Sequence, residues 1–362
     1  MERQVEPQTV WDELSASLSH PHGKPPAWRR WGARLFLLAM ILGLVAGLGA
    51  MWRAGLLNAP NQSQARPRPV AQASPAAVVE QHLIAARDLM RQGETDRAVA
   101  TLAAAVAEHR DDQDLRVAYG EALLHADNAP GAYEQFVAAL SIGPREPALD
   151  FAAGTLARRI GRPQLALEHF SAAQAADPTN ADYPLYLGQT QMSLGDLVPA
   201  KANLVRATLL RDSDARPWGM LAEIALQENV TDIALQHITR ARALQPSAPA
   251  WKVIEARAMK RKGEPDRALQ LLRSMSESDQ RTKPVMRLMA ECHGMLREPD
   301  IAAALFVEAA DLAPDDAELA YEAAVWLERR GDRQRALIYA ERAAAGGVEG
   351  ADKLVERLAG RR

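Results

Sequence analysis

Small and apolar positions recur along this chain with a period of 34 residues. From Gln113 to Glu146 the apolar residues fall twice at helical spacing, with a polar turn between, which predicts two helices. Gly120, Ala132, Phe136, Ala139 and Pro144 mark that unit. Steps of 34 from Ala132 reach Ala98, Ala166, Ala200, Ala234, Ala268, Ala302 and Ala336 with no insertion. The Gly120 column reads Ala86, Gly154, Gly188, Ala222, Ala256, Ala290 and Ala324, small throughout. The Ala139 column is alanine at seven of eight positions, with Met275 the exception. Bulk comes from the Phe136 column: Leu102, Phe170, Leu204, Ile238, Leu272 and Phe306, ending at Ala340. Two antiparallel helices come close only where neither carries a long side chain at the crossing. A small residue on each helix meets that demand. One hairpin cannot bury its apolar face alone, so such units stack into a solenoid.

Two further columns punctuate the units. Gly93, Gly161, Gly195, Gly263 and Gly331 fall at the turn inside the hairpin, where a residue without a Cβ can end a helix. Pro144, Pro178, Pro246 and Pro314 fall between hairpins, where proline stops the second helix. These columns resemble the tetratricopeptide repeat (TPR) family over about residues 79 to 348. The resemblance implies an all-α fold, an α-solenoid of eight TPR hairpins over 79–350. The sixth unit, with Glu255 and Met275 in apolar and alanine columns, is expected to be the least regular. After the eighth unit, Ala351, Leu354, Val355 and Leu358 form one stripe, which predicts a capping helix within 351–362.

Ahead of the repeats lies a different kind of segment. Leu35 to Trp52 is an uncharged run of 18 residues, about 27 Å of helix at ~1.5 Å per residue. That is close to a ~30 Å hydrocarbon core and predicts a transmembrane helix over 34–53. Arg34 and Arg53 are placed to snorkel at its ends, and Trp52 to anchor at the interface. The run exceeds the usual ~7–15-residue core of a cleaved signal peptide, and a charged extension precedes it, which favours a retained anchor. Arg29, Arg30 and Arg34 precede the span and Arg53 follows it. Cations therefore favour a cytoplasmic tail over 1–33 and an exported array, a contrast that Arg66 and Arg68 weaken. Residues 54–78 form a Pro-rich linker. Within the tail, Val10, Trp11, Leu14 and Leu18 fall at helical spacing. Residues 9–18 read either as a tail with a transient turn or as a docking peptide for a cytoplasmic partner.

Composition narrows the chemistry. Net charge is −3 and no basic stripe interleaved with aromatics occurs, so nucleic acid is not an expected partner. The single cysteine, Cys292, permits neither an intramolecular disulfide nor a cysteine-based zinc site. No histidine pair has metalloprotease spacing, and no phosphate-binding loop or nucleophile elbow is present. The expectation is a non-enzymatic protein without cofactor or metal.

TPR arrays usually bind on the concave face lined by the first helix of each unit. By that resemblance, the groove would draw on Leu83, Val117, Phe151 and Leu185, with Glu121, Thr155, Gln189 and Arg257 in the next column. Units one to five then offer a mainly apolar groove, and units six to eight a charged one. The implied ligand is an amphipathic helix or an extended apolar peptide. No Lys/Asn set of the kind that holds a chaperone's C-terminal carboxylate recurs in three successive units. The layout resembles bacterial inner-membrane-anchored TPR proteins that assist assembly of cytochromes c, pili, secretion machines or exopolysaccharide exporters. A cytosol-facing receptor or regulatory subunit is the alternative.

Overall fold

The computed structural model describes residues 74–360, and every regular element among them is an α-helix. The helices follow one another as hairpins: α1 (Pro75–Arg91) with α2 (Thr95–Glu108), α3 (Gln113–His125) with α4 (Ala129–Ile142), and α5 (Pro147–Arg159) with α6 (Pro163–Ala176). Then come α7 (Asp182–Ser193) with α8 (Leu197–Leu210), α9 (Ala215–Gln227) with α10 (Thr231–Leu244), and α11 (Pro249–Arg261) with α12 (Pro265–Arg273). After a single turn, α13 (Glu277–Gln280), follow α14 (Lys283–Met295) with α15 (Pro299–Leu312), α16 (Ala317–Arg330) with α17 (Arg333–Ala345), and α18 (Ala351–Ala359). Residues from His82 onward form one unit by themselves. From the second hairpin on, each second helix packs on its own first helix, and every second helix from α2 to α15 packs on the first helix of the next hairpin, the arrangement of a helical solenoid.

The alanine column explains this packing. Ala98, Ala132, Ala166, Ala200, Ala234, Ala268, Ala302 and Ala336 are all at 0% exposure, so each sits at a closed crossing. Across the crossing, a Cβ built on Gly154 would lie 2.6 Å from Phe170 Cε1, and one on Gly188 would lie 2.7 Å from Leu204 Cγ. The large column fills the space the small column leaves. Leu102, Phe136, Phe170, Leu204, Ile238, Leu272 and Phe306 are each buried.

The turns inside the hairpins share one backbone device. Gly93, Gly161, Gly195, Gly263 and Gly331 have φ between 73° and 89°. Three hairpins place Asp127, Asn229 and Arg297 in the same left-handed conformation, with φ of 57°, 62° and 60°. The backbone shape is thus kept where the glycine is not, at a steric cost that Asn and Asp carry better than Arg. Pro144, Pro178, Pro246 and Pro314 each stand two residues past the end of a second helix.

The sixth hairpin is irregular in a specific way. Its second helix, α12, has 9 residues where the other second helices have 13 or 14. Met275, standing in the alanine column, is 7% exposed and joins the core beside Leu272 and Leu288 after the helix has ended. At the other end of the array, α1 starts at Pro75, inside the expected linker. Proline suits the first helical turn, and Ser74 Oγ accepts the Ala77 N–H at 3.3 Å. At the C-terminus, Leu354 and Leu358 of α18 close the core around Leu327 and Ala336, while Arg357 pairs with Glu328 at 2.6 Å.

Among the described residues no helix is long and apolar enough to cross a membrane. The expected tail 1–33 with its 9–18 peptide, the span 34–53 with Arg34, Trp52 and Arg53, and the linker up to residue 73 lie outside the described residues.

Candidate interaction surface

First helices of neighbouring hairpins touch one another directly, α7 with α9, α9 with α11 and α11 with α14. The residues expected to line a groove divide by burial. Leu83 and Leu185 are 5% and 2% exposed and belong to the interior. Val117, Phe151, Thr155, Gln189 and Arg257 are half-buried, and Glu121 is exposed. The Thr155 hydroxyl donates to the Phe151 carbonyl at 2.9 Å, so its polarity is spent within α5.

Around Phe151 the face is aromatic. Its ring lies 4.9 Å edge-on from Tyr186, 5.4 Å from Tyr183 and 5.5 Å from Phe170. Tyr183 is buried, whereas Tyr186 is half-buried and carries the Arg158 guanidinium over its ring at 5.2 Å. Aromatic pairs at such separations add ~0.5–1.5 kcal/mol beyond area burial and fix side-chain orientation. Phe151, Tyr186 and Arg158 form a rigid patch with one apolar and one cationic component.

Further along, the face is charged, and the charges are mostly used within the array. Arg257 meets both oxygens of the buried Glu223 at 2.8 and 2.7 Å, tying α11 to α9. Lys260 donates to Glu291 at 2.5 Å, tying α11 to α14. Arg287 lies between Glu291, at 3.3 Å, and Glu322, at 3.5 Å, tying α14 to α16. Burial pushes the Glu322 carboxyl up; Arg287 opposes this, and Glu291 and Glu318 reinforce it. The ion pairs serve as cross-ties between successive first helices.

A second polar cluster joins the second and third hairpins. Asp150, 1% exposed at the start of α5, accepts from Arg145 at 2.6 and 2.9 Å. It lies 3.1 Å from His169 Nδ1, and His169 Nε2 lies 3.4 Å from the Tyr133 hydroxyl. Burial alone would push the Asp150 carboxyl up. Hydrogen bonds from Arg145 and His169, and the charge of both, outweigh it and hold the carboxyl below its ordinary value. The sequence reading missed this cluster because its four members lie on three helices and a loop, at no shared period. It buttresses the hairpin behind Phe151.

Cys292 is fully buried in α14, and burial pushes its thiol up to about 11. Among the described residues no group of three His, Cys, Asp or Glu is placed to hold a metal. A cleft of about 380 Å³ between α15, α16 and α17, lined by Val307, Glu308, Asp311 and Arg330, lies apart from the Phe151 patch.

Two tetratricopeptide repeat family profiles match the chain, one over residues 85–147 and one over 159–224. Over those two stretches the chain is similar to tetratricopeptide repeats. Neither profile describes an enzyme. Comparison with curated protein sequences returned no match. Among solved structures, a tetratricopeptide repeat protein from Parabacteroides merdae aligns at 16% identity and a TM-score of 0.57, covering 68% of this chain and 98% of its own. One chain of the APC/C hetero-tetramer Cut9–Hcn1 aligns at 14% identity and a TM-score of 0.55, covering 80% of this chain and 57% of that one. Pseudomonas aeruginosa pilF aligns at 19% identity and a TM-score of 0.51, covering 60% and 97%. At these identities the likeness is one of fold. It places the hairpins beside other helical repeats and leaves the ligand to be argued from the surface.

Proposed function

We propose that the protein is a non-enzymatic scaffold whose eight TPR hairpins hold a partner protein or peptide on the first-helix face. The recurrence of positive φ every 34 residues, from Gly93 to Gly331, supports the count of eight. The observation that carries the binding assignment is the Phe151–Tyr186–Arg158 patch, half-buried and preorganised by its own ring contacts. Such a surface suits an amphipathic or apolar peptide, because its aromatic side chains lose little freedom on binding. Leu83 and Leu185 contribute by shaping the face rather than by touching the ligand.

The 18-residue apolar run at Leu35 to Trp52 makes this scaffold a single-pass membrane protein. Arg29, Arg30 and Arg34 before the run put the tail in the cytoplasm and the array in the periplasm of a bacterial envelope, where it assists assembly of a complex.

The test is capture of a crosslinked partner in intact cells by the wild-type protein and by a Val117→Asp/Phe151→Asp variant. Both side chains pack against the core, so helical content by circular dichroism must match wild type; the folded variant is expected to lose the partner. Unchanged capture would refute the assignment. A reporter fused after Arg362 decides orientation: alkaline phosphatase activity is expected, and a fluorescent cytoplasmic reporter would point to a cytosol-facing receptor instead.

A further inference from the structure

The second helix of the fourth hairpin, α8, differs from its counterparts in what it shows to solvent. Val198, Ala202, Val205 and Leu209 are all exposed, Val198 at 80% and Leu209 at 81%. Their spacing of 4, 3 and 4 residues keeps them on one face, the seam that one helix offers another. The opposite face holds Leu204 and Ala207 in the core. One hairpin earlier the same positions read Gln164, Glu168, Ser171 and Ala175; one hairpin later they read Asp232, Gln236, Thr239 and Ala243. The seam is therefore not a by-product of the repeat.

Charge narrows what could cover it. The charged side chains of α8 are Lys201 and Arg206, one on each border of the seam, and the helix contains no acid. Lys201 donates to Glu228 at 2.7 Å, which offsets its charge in part. Arg206 donates to the Pro178 carbonyl at 3.3 Å, a neutral acceptor that leaves its charge uncompensated. A second copy of α8 would set the same cations against these. A bilayer surface is less well matched, because the seam has no Trp, Tyr or Phe to seat at the headgroup level.

We propose that α8 docks an amphipathic helix of another protein whose apolar stripe is bordered by Asp or Glu. This surface is separate from the first-helix face and stands whether or not that face binds a ligand. One 14-residue helix offers less than the ~800 Å² per partner of a standard interface, so the contact is a transient one.

The experiment titrates the full-length protein into labelled, stapled helical peptides of about three heptads with a leucine seam. One peptide has Glu borders and the other Lys borders, and fluorescence anisotropy reads binding. The Glu-bordered peptide is expected to bind at least about tenfold more tightly than the Lys-bordered one. A Val205→Glu/Leu209→Glu protein should bind it at least about tenfold more weakly at unchanged helical content, since both side chains are exposed. Leu312→Glu, an exposed substitution on α15, should leave binding unchanged. Equal binding of the two peptides would overturn the proposal, as would indifference to Val205→Glu/Leu209→Glu or an equal loss with Leu312→Glu. Self-association or binding to phosphatidylglycerol vesicles through this seam, without peptide binding, would overturn it too.

Discussion

Trp251 lies on Gly219. The two belong to successive first helices, α11 and α9, and the indole packs where a side chain on Gly219 would otherwise stand. Trp251 is at 0% exposure, and its Nε1 donates to Gln245 Oε1 at 3.2 Å. A column that looks like groove in a single hairpin is thus filled by the next hairpin. Trp251→Ala is expected to cost ~3–5 kcal/mol in urea unfolding, the range for truncating a buried aromatic. A loss under ~1 kcal/mol would mean that the indole is not packed as described.

Arg297 holds a left-handed turn that five hairpins give to glycine. A non-glycine residue there carries a steric cost of ~1–2 kcal/mol. Arg297→Gly is therefore expected to stabilise the protein by about 1 kcal/mol, read as a higher urea midpoint at constant m-value. Asn229→Gly should gain less, because Asn tolerates this conformation better.

The hairpin ladder was legible in the sequence because it depends on one repeated contact. Ala132 and its seven counterparts must all be small for the same reason, so a fixed step finds them. The turns were legible at glycine; Asp127, Asn229 and Arg297 keep the backbone shape without advertising it. The binding face was less legible. Leu185 and Phe151 occupy the same column, yet one is interior and the other half-buried. Phe151 meets Tyr183 and Tyr186 of the next hairpin, contacts that no single period predicts.

Asp150 makes stability depend on acid. Its folded carboxyl titrates below the ordinary value of 3.8, because Arg145 and His169 hold the charged form. A depressed acid stabilises the fold above its unfolded pKa and ceases to do so as pH falls through the folded value. Asp150→Asn should therefore be less stable than wild type at neutral pH, and the gap should close as pH drops below about 3.8. Paired urea titrations at neutral and acid pH check this. A gap independent of pH would show that the carboxylate's charge plays no part.

Cys292 should be inert in the folded protein. Burial pushes its thiol up to about 11, and no thiol surface is open to reagent. Alkylation by iodoacetamide at pH 8 is expected only after unfolding in urea, scored by mass spectrometry. Rapid labelling of the folded chain would contradict the packing of α14.

Closed crossings at the alanine column are the claim on which the whole array rests. Ala166 and Ala175 lie on the same helix, α6, the first at 0% exposure and the second exposed. Urea unfolding of Ala166→Leu beside Ala175→Leu makes the same chemical change inside and outside a crossing. Ala166→Leu is expected to lose about 2 kcal/mol by overpacking, while Ala175→Leu stays within ~0.5 kcal/mol of wild type. Equal stability of the two variants would contradict the account.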